Sequence, residues 1–363
     1  MVRRDLLRSG WAVALLLAAC GGSDSATAPP HAQADGAAGQ DAIAPDAGTV
    51  LDASVEDVVS EPVPDVPAPL GPPYPIVLAH GFFGFEQFAG VDFATYFYGV
   101  KDYLAAHGET MVITPAVDPF NDSTYRGEQL LSRVEELLAQ TGYAKVNIIG
   151  HSQGGLDARV VAAERPDLVA SVTTVATPHG GTEVADIILK LIPNPQAQQL
   201  VDWLVKIVGA PLYDQVGKET AVSKPLHLFS KQGIAEFNAK YPDSPGVEYF
   251  SVAGRSDFHL GGTDCKVSSA PPFIAKFAKV LDPVDPLLSV TETVLDGGLL
   301  DPYPNDGLVR VKDAKWGTFL GCVPADHLDE IGHLFGDNPG FGNSWRHDEF
   351  YAALIAYLRD QGL

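Results

Sequence analysis

Gly150-His151-Ser152-Gln153-Gly154-Gly155 decides the reading of this chain. It follows Lys145 to Ile149, whose Val146, Ile148 and Ile149 make a short buried strand, and it precedes Leu156 to Arg165, a helix that Pro166 closes. Gly-x-Ser-x-Gly at 150, 152 and 154 between strand and helix predicts a sharp turn that pushes the serine oxygen out of the sheet. Glycines flank the serine because side chains there would strike neighbouring backbone. Ser152 is therefore read as a nucleophile.

Working outward, Ile76 to Ala79, Met111 to Thr114, Ser171 to Ala176 and Val247 to Val252 are apolar runs of strand length. Leu130, Leu131, Val134, Leu137 and Leu138 form one helical stripe, with Gly142 placed to cap its end. Strands alternating with helices predict an α/β fold, a mostly parallel central sheet with helices on both faces. About Tyr74 to Leu363 suits one large domain, with no solenoid repeat.

A serine nucleophile needs a base within reach and an acid to orient it, both downstream for an elbow of this kind. Of the late histidines His327, His333 and His347, the last falls in an apolar-patterned terminal helix and reads as a solvated or capping group. His327 lies in a polar loop and is read as the base. For the acid, Asn305-Asp306-Gly307-Leu308-Val309 puts a carboxylate in a turn beside an apolar stretch, whereas Asp301 and Asp326 lack such a context. A plain reverse turn is the competing reading of Asn-Asp-Gly. Two backbone donors must face the developing oxyanion. The N–H of Gln153 is one, and the loop His80-Gly81-Phe82 after the first strand supplies the other at Phe82, with His80 as scaffold.

At the N-terminus Arg3, Arg4 and Arg8 precede an apolar segment, Trp11 to Ala19, too short to span a membrane. Leu17-Ala18-Ala19-Cys20 then matches a bacterial lipobox, so residues 1–20 read as a lipoprotein signal and Cys20 as the lipidated residue. Residues 21–73 hold nine acids and no Lys or Arg, and read as a disordered Ala/Pro/Asp-rich tether. The product would be exported and anchored to the cell envelope. With a formal charge of −22 the chain is a poor partner for nucleic acid. With Cys20 carrying lipid, Cys265 and Cys322 remain as an even pair in an oxidising compartment, and a disulfide is expected.

Tyr74 to Gly81, Gly150 to Arg159, Ala176-Thr-Pro-His-Gly-Gly-Thr182, Asn305 to Val309 and His327-Leu-Asp-Glu-Ile331 together resemble the bacterial calcium-binding true lipases, triacylglycerol lipases of the alpha/beta-hydrolase superfamily. The resemblance spans nearly all of the chain after the tether. It implies a triad at Ser152, Asp306 and His327, in agreement with the reading above, and hydrolysis of long-chain acylglycerols, a lipid ester substrate. It also implies one structural Ca2+ held by Asp282 and Asp329, with backbone carbonyls at His333 and Asp337; hard oxygen donors suit this ion. It leaves open a lipase-specific foldase. Cys322 departs from the family, whose second cysteine lies soon after the triad acid. Finally, Ala185 to Val208 carries Leu200, Trp203, Leu204, Ile207 and Val208 at helical spacing, which suggests a helical lid, a core helix being the competing reading. The rivals to lipase are a carboxylesterase for short-chain or polyester substrates and a surface-anchored binding protein on a hydrolase scaffold.

Overall fold

The computed structural model describes residues 68–82, 96–191, 223–257, 262–297, 302–333, 339–340 and 342–363. Its centre is a six-stranded sheet, in which β1 (Ile76–Ala79), β2 (Val112–Ile113), β3 (Val146–His151), β4 (Val169–Val175), β5 (Glu248–Gly254) and β6 (Thr318–Val323) lie in the order β2-β1-β3-β4-β5-β6. Every neighbouring pair is parallel. The central strands are buried on both faces, so they read as continuous apolar runs rather than alternating ones. β6 is the strand that the apolar-run criterion did not find. Gly321 interrupts its sequence at φ 128° and a register shift accompanies it.

Alternation along the strands feeds two cores. Ile76, Leu78, Ile149, Val175 and Val252 face α1 (Val100–Ala106) and the C-terminal α9 (His347–Asp360), where Phe350, Tyr351, Leu354, Ile355 and Leu358 make the buried stripe. Val77, Ala79, Ile148 and Val172 face α2 (Ser123–Thr141) and α3 (Gln153–Glu164). Asp122 caps α2 by accepting from the N–H groups of Thr124 and Tyr125, and Gly142 ends it in the left-handed conformation. The two helices cross so closely that a Cβ on Gly127 would lie 2.5 Å from that of Val160. Leu70 already bridges to Tyr143, so the folded chain begins upstream of Tyr74. Cys20 and residues 21–67 of the expected tether lie outside the described residues.

After β4 come α4 (Glu183–Leu191), α5 (Ser223–Phe229) and α6 (Lys231–Lys240); α7 (Pro272–Ala275) and α8 (Ser289–Leu295) follow β5. The start of the expected lid is α4, which buries Val184 and Ala185. Leu200, Trp203, Leu204, Ile207 and Val208 lie outside the described residues. A disulfide joins Cys265 to Cys322 on β6, five positions before His327. Of the two readings of His347, solvated or capping group, the structure excludes the solvated one. His347 is buried, and its Nε2 meets the carbonyl of Tyr98 at 2.7 Å, because the first turn of α9 is pinned under the loop before α1.

Candidate active site

β3 runs through His151 and stops at Ser152, whose φ 55° and ψ −128° are unusual for a residue with a side chain. Three close approaches hold it there. A Cβ on Gly150 would meet Gly154 and Gly155 backbone at 2.4 Å, one on Gly154 would meet the Ala79 carbonyl at 2.1 Å, and one on Gly155 would meet Thr177 Oγ1 at 2.1 Å. Thr177 Oγ1 in turn donates to the Ser152 carbonyl at 2.8 Å. Local strain of this kind persists only where the surroundings over-determine it. The same helix start presents the backbone N–H of Gln153, while its side chain donates to the Asn121 carbonyl at 2.8 Å.

The structure brings Ser152, His327 and Asp306 into one hydrogen-bonded chain: Ser152 Oγ to His327 Nε2 at 3.0 Å, and His327 Nδ1 to Asp306 Oδ2 at 2.9 Å. The second bond requires Nδ1 to carry a proton toward the carboxylate, which leaves Nε2 free to accept from the serine. Asn-Asp-Gly is indeed a turn, and the turn is what aims the acid. Asp306 Oδ1 accepts from the N–H groups of Leu308 and Val309, Gly307 sits at φ 89°, and the Asp306 carbonyl accepts the N–H of His327 at 2.9 Å. Thr182 Oγ1 ties this loop to the Ala-Thr-Pro-His-Gly-Gly-Thr segment by donating to Leu308 O at 2.7 Å.

Gly81 packs against the elbow: a Cβ there would lie 2.7 Å from that of Ser152 and 2.4 Å from Tyr96 Oη. His80 is scaffold, as read. Its Nδ1 meets Gly81 O at 2.9 Å, its Nε2 accepts the Val117 N–H, and burial, helped by the Arg126 charge, holds its pKa down to about 3. Phe82 presents its ring edge-on to Phe120 and Phe229.

Beneath His327 lies a network that joins the elbow to the histidine loop. Tyr96 Oη meets His151 Nδ1 at 2.7 Å, His151 Nε2 meets Glu330 Oε2 at 2.8 Å, and that oxygen stands 4.0 Å from His327 Nδ1. Burial first, then the charges of Asp306 and other acids, pushes the Glu330 carboxyl well above its usual range. Burial pushes His151 well below its own.

A second acidic centre underlies the histidine loop. Asp282, Asp326 and Asp329 are buried, with carboxylate oxygens within 4.8 Å of one another. Neither oxygen of Asp282 has a hydrogen-bond partner among the described residues, and burial with the Asp326 charge pushes its pKa up to about 9. Three carboxylates that repel one another, one lacking donors, are a donor set suited to a hard dication. Asp326, dismissed on its sequence context, is central here. Its Oδ1 accepts from Leu328 and Asp329 N–H, and its Oδ2 from Asp285 N–H, because these turns converge beneath β6. His333 closes the same turn, its N–H donating to Leu328 O, while Asp337 lies outside the described residues.

A family model described as the alpha/beta hydrolase fold matches residues 74–215. A triacylglycerol lipase of Vibrio cholerae serotype O1 is 38% identical over 273 residues, covering 72% of this chain and 81% of the relative. One of Pseudomonas fragi is 32% identical over 283 residues, covering 72% and 88%. Among solved structures, the Staphylococcus hyicus lipase superposes with a TM-score of 0.52 at 17% identity, covering 81% of this chain and 98% of that one; this likeness concerns the fold.

Proposed function

Because the chain belongs to the triacylglycerol lipases of the alpha/beta-hydrolase superfamily, we propose that it hydrolyses long-chain acylglycerols through Ser152, His327 and Asp306. The observation that carries the assignment of roles is the unbroken bond chain from Ser152 Oγ through both ring nitrogens of His327 to Asp306. His327 Nε2 takes the serine proton as Oγ attacks the ester carbonyl, and Asp306 holds the imidazolium that forms. The N–H groups of Gln153 and Phe82 receive the oxyanion. Collapse breaks the bond to the alcohol, which leaves with the proton from Nε2. Water, deprotonated by the same nitrogen, then attacks the acyl-serine; the bond to Oγ breaks, Oγ takes the proton back from Nε2 and the fatty acid is released.

Asp282, Asp326 and Asp329, with carbonyls at His333 and Asp337, would hold one structural Ca2+. The ion supplies positive charge that offsets the buried carboxylates and holds the turn carrying His327. The lipobox at Cys20 supports anchoring to the cell envelope.

The deciding measurement is a hydrolysis profile across acyl lengths with dissolved and emulsified esters, with Ser152→Ala as the control. Preference for emulsified long-chain triglyceride, abolished by Ser152→Ala, is expected. Preference for dissolved short esters would move the enzyme to the carboxylesterases.

A further inference from the structure

The N–H of Phe82 assigned to the oxyanion lies on a loop gripped by one buried cation. Arg126, the fourth residue of α2, is fully buried. Its NH2 donates to His80 O at 2.6 Å, and its NH1 to Gly81 O at 3.2 Å and Asp118 O at 3.0 Å. Its Nε donates to Asp157 Oδ2 at 2.8 Å, and NH2 lies equally close to that oxygen. Asp157 sits on α3, five residues after Ser152, so the ion pair spans from the oxyanion loop to the helix that the nucleophile starts. The loop from Asp118 to Asp122 also meets the residue of the other donor, since Asn121 O accepts from the Gln153 side chain.

The grip on Gly81 matters because of the peptide bond that follows it. A trans peptide is planar, so its C=O and N–H point in opposite directions. Fixing Gly81 O therefore fixes the N–H of Phe82. His80 Nδ1 bonds the same oxygen at 2.9 Å, so the carbonyl is held from two sides. An amide whose carbonyl accepts from a cation is polarised, and its N–H becomes the stronger donor. We propose that Arg126, held by Asp157, is a positioning residue for the oxyanion hole: through the carbonyls of His80 and Gly81 it aims and polarises the Phe82 N–H. This deepens the reading of Ser152 and Phe82 given above and rests on it.

A purely structural role for this ion pair, stapling α2 to α3, predicts a different result. An oxyanion hole acts on a carbonyl oxygen that becomes negative, and a thionoester, with sulfur in that place, benefits far less because sulfur is a weak acceptor. Lysine cannot reproduce the planar fork that reaches three carbonyls and a carboxylate at once. The test measures kcat and KM of wild type, Ser152→Ala, Arg126→Lys and Asp157→Asn on an aryl butyrate and its thiono analogue, with melting curves for each. Wild type should show Ser152-dependent turnover and a high ester-to-thionoester ratio. In Arg126→Lys, kcat on the ester should fall about tenfold to a hundredfold, below the loss for deleting a donor outright. KM should change little, and the ester-to-thionoester ratio should fall with kcat. Asp157→Asn keeps the arginine and the side-chain shape, should fall less in the same direction, and decides the matter if Arg126→Lys does not fold. Parallel loss on ester and thionoester, or no loss, overturns the inference while leaving the triad standing. Ester turnover independent of Ser152 overturns both.

Discussion

The elbow and the histidine loop meet at two hydrogen bonds, Ser152 to His327 and His151 to Glu330, yet they are held by opposite means. On the elbow side, Gly150, Gly154 and Gly155 allow close packing within the turn, against the end of β1 and against Thr177, and the geometry of Ser152 follows from steric exclusion. On the loop side, His327 follows β6 and is held among buried acids: the Asp306 carboxylate on its ring and the Asp306 carbonyl on its backbone, Asp326 on the turn after it, Glu330 beneath. Close packing depends neither on pH nor on ions. Buried acids depend on both, so the two halves of one site should fail under different conditions.

The largest effect should come from the elbow. Gly154→Ala places a Cβ 2.1 Å from Ala79 O and 2.7 Å from His80 O, backbone atoms that can yield only by moving β1 and the oxyanion loop. kcat/KM on a short ester should drop by at least about a hundredfold, comparable with losing an oxyanion donor. This loss should be the same with or without calcium. A variant of near wild-type activity would remove the steric account of the elbow.

Chelation should act on the loop side and less severely. An ion bound only by the folded state stabilises it by about 2.7 kcal/mol at a hundredfold excess over its dissociation constant, so removing it should lower Tm by several degrees. Activity should fall with Tm, because Asp329 lies two residues after His327. Asp282→Asn should abolish the response to calcium. If chelator shifts neither Tm nor activity in the wild type, and metal analysis finds no calcium, the loop is held by its own hydrogen bonds alone.

This contrast also explains what could be read before the fold was seen. Steric rules are local, so Gly-x-Ser-x-Gly, the apolar strands and the stripe on α2 declared themselves in short windows. Asp306 and His327 were legible because chain order and turn chemistry narrowed the choice. Asp326, Glu330, Arg126 and Tyr96 were not, since each acts through partners dozens of residues away, as Tyr96 does through His151. β6 was missed for a related reason: its place at the edge beside β5 is set by tertiary pairing, which tolerates Gly321 where a local pattern does not.

The smallest effect isolates the electrostatic penalty of the loop side away from the acidic cluster. Asp313 follows the turn that carries Asp306, its carbonyl accepts the Gly180 N–H, and its Oδ2 has no hydrogen-bond partner among the described residues. Burial foremost, and Glu183 next among the raising influences, pushes its pKa up to about 6 against the opposing pull of Lys312, Lys231 and Arg310. A carboxyl raised in the folded state keeps its proton there while the unfolded chain, with a pKa near 3.9, releases it. Stability therefore falls as pH rises from about 4 to 6 and is level above that. Asn at this position does not titrate, so Asp313→Asn should match wild type at about pH 4 and exceed it from pH 6 upward. Because the group is only partly buried, solvent screening limits the gain to about 1 kcal/mol, or about 2 °C in Tm. Melting curves at pH 4, 5, 6 and 7 check this. A difference constant across that range would assign the effect to shape, and Asp313 would then belong with the pH-independent packing of the elbow.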